Sequence, residues 1–145
     1  MKIDVNKYIG KWFEIARIPT VFQLNMKNVT AEYIRDENNT SIKVINSGYV
    51  NGELKQITGL ALPTEKDDLF KVSFFNGVNT VAVNSDYKIL AIDEDYQYAL
   101  VGGSTPNYLW ILSRTPNIPQ REYNTLVNIA KKNGYNVKNL KITES

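Results

Sequence analysis

With neither a histidine nor a cysteine among its 145 residues, this chain can move protons or make covalent bonds only through carboxylates, lysines and its nine tyrosines. That inventory excludes much. A serine or cysteine nucleophile paired with histidine cannot be assembled. Zinc loses its usual ligands, and haem loses its commonest axial ligand. Disulfides and thiol chemistry are absent. Acid–base turnover would fall to Glu14, a tyrosine or a lysine acting without the commonest general base. The inventory points to no cofactor and no metal, and leaves any catalytic reading to carboxylates, lysines or tyrosines alone.

The remaining bounds exclude further classes. A net charge of +2 is too small for a nucleic-acid footprint. Lys131-Lys132 is the only adjacent basic pair and fits a solvated helix end. With 43% hydrophobic and 11% aromatic residues the chain can bury a core, as one domain over residues 1–145. No apolar run approaches the roughly 18 residues of a membrane span. Met1-Lys2-Ile3-Asp4 has no apolar h-region. Either an export leader has been removed, which would place the protein in the periplasm or at the outer membrane, or it stays in the cytoplasm.

The elements that would build a site are organised around Tyr8 to Phe22. Asp4 caps a helical turn with Val5, Tyr8 and Ile9, and Gly10 ends it. The pattern then becomes a strand, Trp12-Phe13-Glu14-Ile15-Ala16-Arg17-Ile18, stopped by Pro19. Trp12, Ala16 and Ile18 lie on one face, and Phe13 and Ile15 on the other. An ordinary antiparallel strand has a polar outer face. This one must be covered twice, which predicts a closed sheet with a helix on its back.

Strands separated by turn chemistry follow: Val29 to Arg35, Ile42 to Val50, Glu53 to Leu62, Leu69 to Phe75, Thr80 to Val83, Tyr87 to Asp93, Tyr96 to Val101 and Tyr108 to Arg114. Asn84-Ser85-Asp86 breaks or bulges the run between two of them. Asn51-Gly52 is the strongest hairpin dipeptide, because both residues accept φ > 0. The spacing and short turns predict an all-β, eight-stranded, antiparallel up-and-down barrel. Tyr123, Leu126, Val127 and Ala130 then recur at helical spacing after Pro119, with Lys131 and Lys132 in the last turn and Gly134 at the end. This C-terminal α-helix would pack outside the barrel over Phe13 and Ile15. Val137 to Ile142 would add an edge strand.

A helical turn, then Gly10-Lys11-Trp12, then a strand resembles the opening motif of the lipocalin family. Trp12-Phe13-Glu14-Ile15-Ala16-Arg17 looks most like the bacterial lipocalins of the outer-membrane lipoprotein type and their apolipoprotein D relatives. Asp95-Tyr96 falls where the family's second motif lies. Leu109-Trp110-Ile111-Leu112-Ser113-Arg114-Thr115-Pro116 resembles the third. The resemblance implies that Arg114 lies on the face of Trp12 and closes one end of the barrel, a structural role for both. A partly desolvated contact of this kind contributes on the order of 1–2 kcal/mol.

A barrel of eight strands is just wide enough for one small ligand. Period-two alternation selects its inward face. Phe70, Val72 and Phe74 alternate with Lys71 and Ser73, and counting back by twos from Arg114 gives Leu112 and Trp110. The same logic gives Val44 and Asn46, Ile57 and Gly59, Leu90 and Ile92, Ala31 and Tyr33, and Ala99 and Val101. Small residues at Ala31, Gly59 and Ala99 favour a hollow over a filled core. Phe22, Leu24 and Met26, in an apolar stretch after Pro19, would form a lid at the mouth. Tyr33, Asn46 and Tyr108 would hydrogen-bond a polar head near the mouth, Lys88 reads as a solvated rim lysine ahead of a partner for an anionic head, and Glu14 would lie near the base.

Together with the resemblance, this predicts a carrier of a small hydrophobic or amphipathic ligand, a fatty acid or lysophospholipid. It would associate with a membrane surface or not, as a monomer or homodimer, and bind no nucleic acid. A lipid-modifying enzyme on the same barrel, a bilin-type pigment binder and a surface interaction module are the alternatives.

Overall fold

The computed structural model describes residues 1–20, 26–36, 40–76 and 79–145, and the side chains among these except at positions 76 and 79–83. A single helical turn, α1 (Val5–Tyr8), opens the chain. Asp4 caps it by accepting from the Asn6 N–H at 3.0 Å. Gly10 leaves it at φ +102°, a backbone region that a side chain would strain. A Cβ there would also lie 3.3 Å from Arg114 Nη1.

Eight antiparallel strands follow: β1 (Gly10–Arg17), β2 (Lys27–Arg35), β3 (Ile42–Val50), β4 (Glu53–Pro63), β5 (Leu69–Asn76), β6 (Asn79–Ile92), β7 (Tyr98–Gly102) and β8 (Leu109–Ser113). Each pairs with the next, and β1 pairs with both β2 and β8, so the sheet closes on itself. Closure leaves no open edge along the ring. The β3–β4 hairpin turns at Asn51 and Gly52, both at positive φ as a primed turn requires. The two expected runs Thr80 to Val83 and Tyr87 to Asp93 are one strand, β6, whose register against β5 slips twice between Val72 and Phe75.

The C-terminal helix α2 (Gln120–Lys132) follows Pro119 and buries Leu126 and Ala130. They pack with Ile15, Leu100, Leu109 and Ile111 in an apolar layer outside the barrel wall. A separate cluster, with Trp12, Tyr33, Val44, Phe70 and Leu112 among its members, fills the lower interior. After a 3₁₀ turn at Val137–Asn139, the short β9 (Lys141–Ile142) pairs with Ala16 and Arg17.

Two bulges change the expected faces. In β1, Glu14 pairs with Leu112 and Ala16 with Ile111, so Ile15 is the extra residue. Ala16 and Ile18 therefore lie with Ile15 on the helix side, not with Trp12. Phe13 is not under α2; it is half-buried with the Lys11 ammonium 5.1 Å from its ring centre. In β6, Ile89 pairs with Val101 and Ala91 with Leu100, so Leu90 is extra. Leu90 joins the helix-side layer, and Ile89 takes the inward place. Strict period-two counting fails at an inserted residue, because one residue flips every later side chain.

Candidate functional site: the barrel cavity

The barrel has a closed end and an open one. At the closed end the Arg114 guanidinium carbon lies 3.8 Å from the Trp12 ring centre. Its nitrogens donate to the carbonyls of Lys11 (3.0 Å), Lys7 (2.8 Å), Tyr8 (3.0 Å), Ile9 (3.0 Å) and Tyr96 (3.1 Å). Trp12 Nε1 donates to the Tyr8 carbonyl at 2.8 Å. The Tyr96 hydroxyl accepts from the Asp4 N–H at 2.9 Å, and Asp93 Oδ1 accepts from the N–H groups of Gln97 and Tyr98 at 2.7 Å each. The helical turn, the β6–β7 turn and the end of β8 are thus tied into one plug.

Above the plug lies a cavity of about 1500 Å³. Ala31, Tyr33, Val44, Asn46, Ile57, Phe70, Val72, Phe74, Val101, Trp110 and Leu112 line it, as inward alternation predicts. Its floor carries three joined phenols: Tyr87 Oη lies 2.6 Å from Tyr8 Oη and 2.7 Å from Tyr33 Oη. Burial pushes the Tyr33 hydroxyl up to about 12 and those of Tyr8 and Tyr87 well above the ordinary tyrosine range. All three are neutral hydrogen-bonding groups at physiological pH.

The family model of the lipocalin-like domain matches residues 3–145. The chain belongs to the lipocalin family. Its relatives include a lipocalin-named protein of Acanthamoeba polyphaga mimivirus, 43% identical over 95% of this chain and 82% of the other. The outer membrane lipoprotein Blc of Vibrio cholerae is 36% identical over 94% of this chain and 80% of its own. Among solved structures, insecticyanin from the tobacco hornworm Manduca sexta superposes with a TM-score of 0.79 at 21% identity, covering 99% of this chain and 82% of that one, a likeness of fold. Lipocalins bind small hydrophobic ligands.

In this lipocalin four expected wall residues stand elsewhere. Ile92 and Ala99 point inward but belong to the packed interior cluster rather than to the cavity lining. Leu90 faces α2 because of the β6 bulge. Gly59 pairs with the inward residues Val44 and Phe74, yet the Phe74 ring covers it: a Cβ there would come within 2.8 Å of that ring and 2.5 Å of the Ser73 carbonyl. Gly59 makes room for a wall residue and is not itself wall.

The polar expectations also move. Tyr33 pairs with Gly10 at the closed end, so its hydroxyl serves the floor and not the mouth. Lys88 is exposed between the inward Tyr87 and Ile89, solvated as its first reading has it and outside the lining. Tyr108 does stand at the mouth, stacked on Trp110 with ring planes 9° apart and centres 6.4 Å apart. Asn46, Ser47, Gln56, Thr105 and Asn107 share the lining with it. Of the expected lid, Phe22 and Leu24 lie outside the described residues. Met26 lies at the mouth, with its methyl 2.5 Å from where a Cβ on Gly48 would stand.

Glu14 lines the cavity but is bound to its neighbours. Its carboxylate accepts from Arg17 Nη1 at 2.5 Å and from the Thr143 hydroxyl at 2.6 Å. Arg17 Nη2 donates to the Met26 carbonyl at 3.2 Å. Sequence reasoning missed Tyr8 and Tyr87 as site residues. Alternation of Tyr87 and Ile89 against Lys88 carried the information for the second. Among the described residues no three metal-ligating side chains converge.

Proposed function

We propose that this lipocalin carries a single long-chain amphipathic lipid, a fatty acid or a lysophospholipid, with its tail in the cavity and its head at the mouth. The observation that carries the reading is the hollow itself. Its volume of about 1500 Å³ exceeds the roughly 300–1,000 Å³ of ordinary small-molecule pockets. Phe70, Val72, Phe74, Val101 and Leu112 supply apolar wall, while Asn46, Gln56, Asn107 and Tyr108 supply hydrogen-bonding groups. Burial of the tail stabilises the complex at about 25 cal/mol per Å² of apolar surface.

Carriage rather than turnover is supported by Glu14. Oε2 of this carboxylate is taken up by Arg17 and Thr143, the ties of a wall residue rather than of a free general base. The outer-membrane setting named for the Vibrio cholerae relative supports an envelope location beside a lipid supply.

Calorimetric titration of delipidated protein with a panel of fatty acids and lysophospholipids tests the proposal. Binding of one lipid per chain, with the negative heat-capacity change of apolar burial, is expected. Absence of binding across the panel overturns it.

A further inference from the structure

We propose that the cavity floor is a second, polar subsite, in which the joined hydroxyls of Tyr8, Tyr87 and Tyr33 receive a neutral oxygen carried on the distal half of the acyl chain. The inference rests on the cavity being a lipid site and narrows its cargo to oxygenated chains, hydroxylated or keto.

The argument starts from counting protons. Three phenols carry three donor protons, and the two hydroxyl–hydroxyl contacts use two of them. The third proton has no acceptor among the described residues. All three side chains line the cavity, so the uncommitted donor stands where a ligand can reach it. A buried donor left without a partner is costly, and a ligand oxygen removes that cost. An unsubstituted methyl end would leave it in place. The phenol oxygens have lone pairs to spare, so a ligand hydroxyl can also donate in return.

The subsite suits a neutral group rather than a carboxylate. Its members are neutral phenols, and the nearby cation, Arg114, is held by five backbone carbonyls. A carboxylate at this depth would lose its hydration without gaining a counter-charge. The charged head therefore stays at the mouth and the neutral oxygen goes down.

The test compares positional isomers of hydroxyhexadecanoate, which differ little in hydrophobicity. Delipidated protein is titrated with hexadecanoate, with 2-hydroxyhexadecanoate and with isomers hydroxylated stepwise along the distal half. At least one distal isomer should bind about threefold to tenfold more tightly than the 2-hydroxy isomer, the worth of one net hydrogen bond. Equal affinity for all isomers, as water alone at the floor would give, overturns the proposal while leaving lipid carriage intact. Binding of none of these acids overturns the subsite, and lipid carriage falls with it only if lysophospholipids fail to bind as well. The triple variant Tyr8→Phe/Tyr33→Phe/Tyr87→Phe, which keeps the ring shapes, should erase the distal preference, read as the ratio of distal to 2-hydroxy affinity within the variant; a preference that survives it also overturns the subsite. The isomer series in the unsubstituted protein decides the matter even if the variant does not fold.

Discussion

The Arg114 guanidinium carbon lies 3.8 Å from the centre of the Trp12 ring, and its nitrogens at the same time donate to carbonyls from α1, the start of β1 and the β6–β7 turn. One side chain therefore stacks on the first strand and ties the end of β8 to the N-terminal stretch and to the β6–β7 turn. Planarity is what allows this: a guanidinium can stack by its face and donate from its edge.

Replacing Arg114 by Ala should lower unfolding free energy by about 3–5 kcal/mol, from lost charge-assisted hydrogen bonds and the cation–π contact. Arg114→Lys should recover less than half of that, since an ammonium keeps the charge but not the planar fork. Urea denaturation measures both. Equal stability of the lysine variant and the parent would contradict the stacking account.

The buried phenols predict a late alkaline titration. Below about pH 10 all three are neutral in folded and unfolded chains alike, and their contribution to stability is whole. Above that pH the unfolded chain releases protons that Tyr33, raised to about 12, and the still more shielded Tyr8 and Tyr87 retain in the fold. Stability should therefore fall as pH rises from about 10 towards 12. Phenolate absorbance should show these three of the nine tyrosines ionising last or only with unfolding. The triple phenylalanine variant should lack that late phase.

Glu14 and Arg17 form a buried ion pair in the barrel wall. Removing one partner strands the other, so Arg17→Met should cost about 3–5 kcal/mol. Glu14→Leu combined with Arg17→Met should recover most of the loss, since apolar side chains of similar size remove both charges from a buried place. A double-mutant cycle of denaturation midpoints checks this. Additive losses would show that the two side chains act independently.

How much of this was legible beforehand depended on regularity. Phe70, Val72 and Phe74 sit in an unbroken stretch of β5 and could be placed by alternation alone. The turn at Asn51-Gly52 and helix α2 carried strong local chemistry and formed within a few residues of where the sequence put them. Ala16 and Leu90 could not be placed, because both strands are apolar on each face and a bulge leaves no mark in such a pattern. Gly59 read as space and proved to be covered, because the Phe74 ring lies against it and no local rule reports a contact between strands. Tyr33 was assigned to the cavity correctly but to the wrong end: direction along a barrel needs the partner strand, here Gly10 on β1. The phenol cluster joins residues 79 and 54 positions apart, which no local reading brings together.

The central claim, that the hollow holds the lipid, is tested most directly by displacement of a fluorescent fatty acid with hexadecanoate. The measurement compares the protein with its Val44→Trp/Val101→Trp variant. β3 and β7 stand opposite one another in the eight-membered ring, so the two indoles enter the hollow from facing walls. One competed site per chain, weakened at least about tenfold in a variant that remains folded, is the predicted result, since blocked apolar burial removes more than the 1.4 kcal/mol of a tenfold change. Undiminished affinity in the folded variant would place the lipid somewhere other than the cavity.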